Sequence, residues 1–524
     1  MLAAPSRFRR LGAHGDMVAC VLVFTAALFY LASLPRDLGR ADESYLLLEA
    51  KRIARGEVLY RDIFYFATPG AHWFMALVFR WFGASMAVAR LTMAVVHGAI
   101  AVLLLLACRS LGVRGGLAVA AAVTHVALCQ PAWPYASAHW LDTLFMVLLL
   151  FVVVRGRPWA QRTAAAIGPG LLVGALAAVQ QQTGAAMALG VLAFFAFDGV
   201  SQARFAASDH PVRTVVQQLA YAAAGGLAVL LPLFTVLIAG VGFASLFQQL
   251  VAFPLQNYRH AVPPVAWAGL SPLSDQWAAG TVPALFAYLP LLVPAEIARA
   301  TIKWARRVDR AGLESLVALA SLCSAAALSI AYFPDFIHVA YVAPLFFVAL
   351  AEMTEAALRS LEAAVGWRGV FGWTLTIAVI TVLVVHLSRN LQRAREEYPW
   401  PAETAFGHVD FASEGEAALV ETVRNAMRDT PGKPFFAYPA YTSLYLTAGV
   451  DNPTPFPAMV PDYNSPQQFA EVIRILEATQ PPYILFCPFI TPPDDPVRLY
   501  IRAHYVHDAD GPFFCTLRRR MASG

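Results

Sequence analysis

Residues 42–70 read DESYLLLEAKRIARGEVLYRDIFYFATPG and directly follow the first long apolar segment of the chain, residues 18–34. The stretch opens with two adjacent acids and then alternates charged and apolar residues. It ends in an aromatic turn that contains proline and glycine. Charged side chains next to a lipid bilayer are costly and mark functional positions. We therefore predict that this stretch forms a site at the surface of a membrane.

The composition places most of the chain inside that membrane. Of the 524 residues, 58% are hydrophobic and only 14% are charged, whereas soluble domains contain about 25% charged residues. Eleven apolar runs are about long enough to cross a bilayer as helices. They are 18–34, 88–108, 115–130, 141–154, 163–180, 184–197, 214–240, 280–298, 312–332, 337–356 and 369–388. The composition excludes an ordinary soluble enzyme and predicts a polytopic α-helical membrane protein. We interpret the first run as a retained span, because the residues after it form a poor cleavage site.

The basic residues give the orientation. Arg7, Arg9 and Arg10 precede the first run, and clusters of lysine and arginine follow every second run. By the positive-inside rule these connections are cytoplasmic, and an odd number of spans places the C-terminal tail outside. The first outer loop, residues 35–87, violates this rule because it contains Lys51, Arg52, Arg55 and Arg61. Within it, the short apolar segment 71–83 is an interfacial or re-entrant helix, or an extension of the next span.

The tail has a different composition. We divide the chain into a membrane domain, residues 1–388, and an extracytoplasmic domain, residues 389–524. The tail has charges of both signs and many prolines, which is typical of a small α/β domain. The pattern predicts helices at 413–428, 466–479 and 495–504, and strands at 434–438, 482–486 and 512–517. Cys487 and Cys515 both lie here, and they could pair in an oxidising compartment.

Four polar groups lie at the outer ends of predicted spans. These are Asp42 with Glu43, His139 with Asp142, Gln180 with Gln181 and Gln182, and Asp335 with His338. Carboxylates, imidazoles and amides on one membrane face predict a polar cavity. Simpler explanations stay open: Asp42 could cap a helix, the glutamines could be loop structure, and the histidine–aspartate pairs could be local contacts. Arg259, the only basic residue of the outer loop 242–279, is interpreted as a phosphate ligand.

The first loop also has a recognisable order of residues. It runs Asp42-Glu43, Ala50, Gly56, Tyr60-Arg61-Asp62, Pro69-Gly70, Phe82-Gly83 and Ala89-Arg90-Leu91, and the tail contains FAYPAYTSLYLTAGVDNPTPF at 436–456. This pattern resembles bacterial membrane glycosyltransferases of the GT-C class, in the protein mannosyltransferase and aminoarabinose transferase superfamily. The resemblance implies a GT-C fold and transfer of a sugar from a polyprenyl-phosphate carrier to an acceptor outside the membrane, with inversion at the anomeric carbon.

The resemblance also implies roles for residues. Asp42 matches the general base and Glu43 its partner. The departing lipid phosphate needs cations and hydrogen-bond donors. Our candidates for contacts to the donor and its phosphate are Arg61, Arg259 and His338, with Tyr60, Tyr258, His139, Asp142 and Asp335. Aminoarabinose transferases carry Glu-Lys before the proline turn, where this chain has Ala67-Thr68. This departure argues against lipid A aminoarabinose transfer.

The remaining expectations concern partners and alternatives. Asp42 with Asp142 or Asp335 could coordinate a divalent cation, although nothing in the spacing requires one. The leading hypothesis is a glycosyltransferase of a bacterial inner membrane that acts in the periplasm on a cell-envelope glycan, lipid or protein, with no nucleic-acid partner. A transporter or flippase for a lipid-linked glycan is the alternative. A third interpretation is a ligase that moves whole glycans from a lipid diphosphate.

Overall fold

The computed structural model describes residues 6–38, 41–156, 159, 163–205, 210–258, 286, 288–306, 310–332, 335–367, 369–461, 463–488 and 491–521. It confirms a polytopic α-helical membrane protein with a small C-terminal α/β part. The helices before that part are α1 (Ser6–Ser33), α2 (Ala41–Ala54), α3 (Gly70–Phe82), α4 (Met86–Ser110), α5 (Gly115–Thr124), α6 (Ala138–Arg155), α7 (Ile167–Val179), α8 (Gln181–Arg204), α9 (Pro211–Val241), α10 (Leu292–Arg306), α11 (Arg310–Ser329), α12 (Phe336–Val365) and α13 (Val370–Glu397). A π-helical turn at His125–Cys129 and a short helix at Gln130–Ala132 continue α5, and Phe243–Phe247 is helical before two further π turns, Gln248–Ala252 and Pro254–Tyr258.

Among the described residues, nine helices are long and apolar enough to cross a membrane. They are α1, α4, α5 with its continuation, α6, α8, α9, α11, α12 and α13. A shorter apolar helix, Thr163–Val179, contains α7. Seven of the nineteen residues of the predicted run 280–298 lie outside the described residues, so the total of eleven spans stays a prediction.

The spanning helices form a buried centre and a rim. The buried share of the apolar 18-residue stretch of each helix separates the two groups. It is 56–67% in α4, α5, α6, α8, α11 and α12, and 11–22% in α1, α9 and α13. The second group therefore presents most of its apolar surface outward, where lipid is the natural contact. Helices α7 and α9 approach closely at Gly170, where an added Cβ would collide with the carbonyl oxygen of Ala222. Small residues permit such contacts between membrane helices.

The first loop contains two helices that do not span. Helix α3 ends at Gly83, whose φ is 84°, and Ser85 caps α4 as a new helix. The interpretation of 71–83 as an extension of the next span is therefore wrong. Phe74, Leu77, Trp81 and Phe82 of α3 are exposed, which suits a helix lying in the membrane interface.

The C-terminal part begins where α13 ends. The predicted boundary at 388/389 falls inside this helix, which continues to Glu397. Its elements are β1 (Trp400–Thr404), β2 (Gly407–Phe411), α14 (Glu414–Met427), β3 (Phe436–Tyr438), α15 (Pro466–Thr479), β4 (Tyr483–Phe486), α16 (Pro496–His504), β5 (Tyr505–Asp510) and β6 (Thr516–Arg520), with a short helix at Ser443–Thr447. Strands β1 and β2 form an antiparallel hairpin, and the other four form a sheet in the order β3-β4-β6-β5. Only β3 and β4 are parallel.

The three predicted tail helices and the first two predicted strands are confirmed. The predicted strand 512–517 begins only at Thr516, because Pro512–Phe514 forms a 3-10 turn. The hairpin and β5 were not predicted. Phe486 pairs with Thr516 across β4 and β6, so the next pair in the register is Cys487 with Cys515. These two cysteines form a disulfide with an S–S distance of 2.04 Å.

The C-terminal domain rests on the end of the helical bundle where α1 ends and α4 begins. The Met86 amide donates to the carbonyl oxygen of Phe406 at 2.9 Å. The Arg36 amide donates to the Asp410 carboxylate at 2.8 Å, and the Asp410 amide donates to the Arg36 carbonyl at 3.2 Å. We call this end of the bundle the domain face.

Candidate active site

Helix α2 lies at the domain face and has two distinct sides. Asp42, Tyr45, Leu46 and Glu49 follow the spacing i, i+3, i+4 and i+7, which places them on one side of a helix. All four line a cavity of about 1300 Å³. The rise of 1.5 Å per residue separates Asp42 from Glu49 by about 10 Å along the helix axis. One helix thus presents two carboxylates to the same cavity.

Asp42 belongs to the first turn of α2, and its side chain is exposed to the cavity. The surrounding protein limits its solvation, so burial raises the pKa of the Asp42 carboxyl. His338 acts to lower this pKa and Asp335 acts to raise it. Asp42 is therefore a carboxylate that accepts protons more readily than an ordinary aspartate.

Glu43 lies on the opposite side of α2 and is fully buried. Its Oε1 accepts hydrogen bonds from Arg90 Nη1 and from the Ala136 amide, both at 2.8 Å, and its Oε2 accepts from Arg90 Nη2 at 3.1 Å. Burial raises the pKa of Glu43, and the Arg90 guanidinium opposes this shift. The adjacent acids therefore differ: Asp42 lines the cavity, whereas Glu43 is engaged inside the protein.

Two histidines also line this cavity. The rings of His139 and His338 lie 5.1 Å apart between centroids, although they come from α6 and α12. Asp335 accepts from the His338 backbone amide at 2.8 Å and contacts its Nδ1 at 2.7 Å. A carboxylate can only accept here, so Nδ1 of His338 carries a proton. Asp335 thus caps α12 and fixes the orientation of the His338 ring.

The glutamines connect this wall to the first loop. Gln181 accepts from the Thr68 amide at 3.1 Å and donates to the Phe66 carbonyl at 3.2 Å. Gln180 contacts Nε2 of His139 at 3.4 Å. All three glutamines line the cavity, but the contacts of Gln181 favour the loop-structure interpretation for that residue.

A second acid–imidazole pair lies in the cavity wall. Nε2 of His72, on α3, contacts the Glu49 carboxylate at 2.7 Å, and both side chains are less than 5% exposed. This pair was not predicted from the sequence. Glu49 could have been found from its i+7 spacing to Asp42, whereas nothing in the apolar context of His72 distinguishes it.

Three other predicted residues do not line the cavity. Tyr60 is buried, has φ of 68°, and donates from its hydroxyl to the Ala67 carbonyl at 2.6 Å. Arg61 is 57% exposed and paired with Asp62 at 2.8 Å. Asp142 is 2% exposed and does not line the cavity. Neither Tyr60 nor Arg61 lines it. Among the described candidates for the base and for the donor contacts, the cavity therefore brings together Asp42, His139, Asp335 and His338, with the three glutamines beside them.

Two predicted residues and the metal remain as predictions. Arg259 and the side chain of Tyr258 lie outside the described residues. Within the described part of the chain, no three His, Cys, Asp or Glu side chains are grouped so that they could hold a metal ion.

The fold was compared with known proteins. Neither a protein-family model nor a curated protein sequence matches the chain. Solved structures do: ArnT from Cupriavidus metallidurans bound to undecaprenyl phosphate superimposes with a TM-score of 0.58 at 14% identity, over 96% of this chain and 98% of that one. The chain has the GT-C fold.

Two further solved structures complete the comparison. The apo state of the same ArnT gives a TM-score of 0.57 at 14% identity, over 98% of this chain and 99% of that one. The arabinofuranosyltransferase AftD from Mycobacteria gives a TM-score of 0.43 at 14% identity, over 96% of this chain and 40% of that one. The GT-C fold thus extends over both the helical bundle and the C-terminal domain, since the match to ArnT spans nearly the whole of both chains.

Proposed function

We propose that the protein is an inverting glycosyltransferase that takes a sugar from a polyprenyl-phosphate donor, with Asp42 as the general base. The observation that carries the proposal is the position of Asp42. It lines a large cavity together with His139, His338 and residues of the C-terminal domain. The GT-C fold supports the proposal, because the ArnT structure with this fold holds undecaprenyl phosphate.

The reaction follows from this arrangement. The hydroxyl oxygen of the acceptor attacks C1 of the sugar while Asp42 accepts the hydroxyl proton. The bond from C1 to the phosphate oxygen breaks, and the lipid phosphate leaves with the electron pair. Attack from the side opposite the leaving group inverts C1. Asp42 then returns the proton to water in the cavity.

The leaving phosphate requires donors. The described cavity wall contains three histidines, His72, His139 and His338, and neither lysine nor arginine. We therefore assign the phosphate contact to His338, whose ring Asp335 orients, with His139 beside it. Arg259 keeps its predicted role as a second phosphate ligand.

We further propose that the domain face is periplasmic, at the inner membrane of a bacterium. The Cys487–Cys515 disulfide supports this orientation, because such bonds persist in oxidising compartments. The clusters of basic residues on the alternate connections support it independently.

The proposal is tested with the purified full-length protein in detergent. It is incubated with a panel of synthetic polyprenyl-phosphate sugars and cell-envelope acceptors, and products are identified by mass spectrometry. We expect at least one pair to give a glycosylated acceptor and a free polyprenyl phosphate. Translocation of the carrier in liposomes without any transfer would instead support the flippase alternative. Release of a polyprenyl diphosphate would support the ligase.

The proposed base also predicts a pH dependence. An aspartate acts as a base only when it is ionised, so transfer is gained as pH rises through the pKa of Asp42 and lost below it. Because burial raises this pKa, we expect the acidic limb of kcat/KM to lie above the value of about 3.9 for a free aspartate. The Asp429→Asn variant is altered at an exposed tail residue. Its kcat/KM should fall over the same acidic pH range as that of the wild type. A kcat/KM that stays constant down to about pH 4 would contradict the assignment.

A further inference from the structure

Arg52 is one of the basic residues that violate the positive-inside rule, and it lies near the end of α2. Its side chain is only 12% exposed. The guanidinium donates to Glu57 at 2.8 Å, to the carbonyl oxygen of Thr454 at 2.9 Å and to the carbonyl oxygen of Asp62 at 3.1 Å. It thus joins the first loop to the C-terminal domain across 402 positions of sequence.

The segment that Arg52 binds is part of the cavity. We call residues 452–461 the wall segment, because Phe456, Pro457, Ala458, Val460 and Pro461 line the cavity. It carries few regular backbone hydrogen bonds of its own, since four of its ten residues are proline. Its position therefore depends on contacts to other parts of the chain.

Some of those contacts come from the C-terminal domain, where the Thr442 hydroxyl donates to the Pro457 carbonyl and the Met459 amide donates to the Pro439 carbonyl, both at 2.8 Å. The others come from the first loop. Besides the bond from Arg52 to Thr454, the Phe64 amide donates to the Pro455 carbonyl at 3.0 Å. The rings of Phe64 and Phe456 lie 5.4 Å apart. Asn452 accepts from the Thr454 amide and donates to the Phe456 carbonyl, which closes the segment on itself. The segment is thus a compact turn held between the first loop and the rest of the C-terminal domain.

We propose that Arg52 is a positioning residue that fixes the wall segment, so that the C-terminal domain forms part of the substrate site. This inference rests on the proposed function. Arginine suits the task because its planar group donates in several fixed directions at once, which a lysine ammonium does not reproduce. Its bonds to the first loop leave it no phosphate role, and it does not line the cavity.

Arg55 provides a matched control. It lies three residues after Arg52, just past the end of α2, and contacts Asp451, beside the wall segment, at 2.9 Å. Its side chain is 56% exposed and that of Asp451 is 75% exposed. Exposed ion pairs contribute little, so removal of Arg55 tests the effect of losing a nearby positive charge without loss of the buried bonds.

The experiment compares wild type, Arg52→Ala, Arg52→Lys and Arg55→Ala as full-length proteins in detergent. Hydrogen exchange followed by mass spectrometry should show exchange of the wall segment accelerated about tenfold or more in Arg52→Ala, as expected for loss of a charged hydrogen bond. Arg52→Lys should restore protection in part, and Arg55→Ala should match the wild type. Exchange in α14 and α15 should not change. An unchanged wall segment, or equal acceleration throughout the C-terminal domain, would overturn the proposal.

Steady-state kinetics distinguish a positioning role of Arg52 from a role in the chemical step. In Arg52→Ala we expect KM for at least one substrate to rise about tenfold or more, by the same loss of a charged hydrogen bond, with a smaller change in kcat. A fall in kcat with KM unchanged would overturn the substrate-site assignment. If the wild type transfers no sugar from any donor, the proposed function fails, while the exchange experiment still decides whether Arg52 holds the wall segment.

Discussion

Replacement of Asp42 by asparagine is expected to reduce kcat for sugar transfer by about 10²- to 10⁴-fold, the usual contribution of a general base. Asparagine has nearly the same shape but does not accept the proton of the acceptor hydroxyl. KM should change little, because the cavity keeps its form. The measurement is steady-state transfer with the donor and acceptor identified from the panel, together with a thermal unfolding curve for each variant.

Two control variants test whether the loss of transfer is specific to Asp42. Asp429→Asn makes the same chemical change at an exposed position of the C-terminal domain and should leave kcat unaltered. Glu43→Gln changes the neighbouring acid, which is engaged with Arg90, and should act mainly through stability. Transfer by Asp42→Asn at the rate of the wild type would remove Asp42 from the mechanism.

The two adjacent acids show what the sequence could predict. Their place after a hydrophobic span identified Asp42 and Glu43 together, because hydropathy is a local property. Which of them faces a cavity depends on the orientation of α2 against its neighbours. Glu43 is engaged by Arg90, 47 positions away. Such pairing is not encoded in the local pattern, so the sequence assigned both acids to catalysis.

The family-like pattern in the first loop is now explained mainly by structure. Gly56 has φ of 107° and Gly83 has φ of 84°, both in the left-handed region that favours glycine. A Cβ added at Gly70 would lie 2.6 Å from the carbonyl oxygen of Ala178. Asp62 accepts from the Val58 amide at 2.8 Å. These residues shape the loop that presents Asp42, and of the quoted first-loop pattern Asp42 alone is a cavity-lining residue.

The basic residues of the first loop show what the sequence could not predict. The sequence identified them correctly as an exception to the charge rule but did not indicate what they bind. Arg52 binds the C-terminal domain. The cavity wall likewise combines His139 and His338, which are far apart in sequence. Spans and tail elements follow local periodicity and were predictable, whereas contacts between distant segments required the structure.

Removal of Arg90 is expected to cause the largest loss of stability. Arg90 is 6% exposed, binds both oxygens of Glu43, and donates to the carbonyl oxygens of Asp37 and Pro134 at 2.7 Å each. It therefore joins the start of α2 to the segments before α2 and α6. In Arg90→Ala the buried Glu43 carboxylate loses its counter-ion, and breaking a buried pair costs about 3–5 kcal/mol. The free energy of unfolding can be measured by titrating SDS into detergent micelles.

An exposed ion pair provides the comparison. Arg61→Ala removes the partner of Asp62, where Arg61 is 57% exposed, and should cost no more than about 1 kcal/mol. A loss in Arg90→Ala as small as that of Arg61→Ala would show that the Glu43–Arg90 pair does not hold the domain-face end of the bundle together.

A double variant identifies the source of the loss. If the cost of Arg90→Ala comes from the stranded carboxylate, then Glu43→Met combined with Arg90→Met should recover roughly half of it or more, because apolar side chains of similar volume replace buried ion pairs well. The two single changes would then be strongly non-additive, as expected for residues in direct contact. If the cost comes from the lost bonds to the Asp37 and Pro134 carbonyls, the double variant would be as unstable as Arg90→Met alone. That result would place the role of Arg90 in those backbone contacts, and Glu43 would contribute little to holding Asp42 in position.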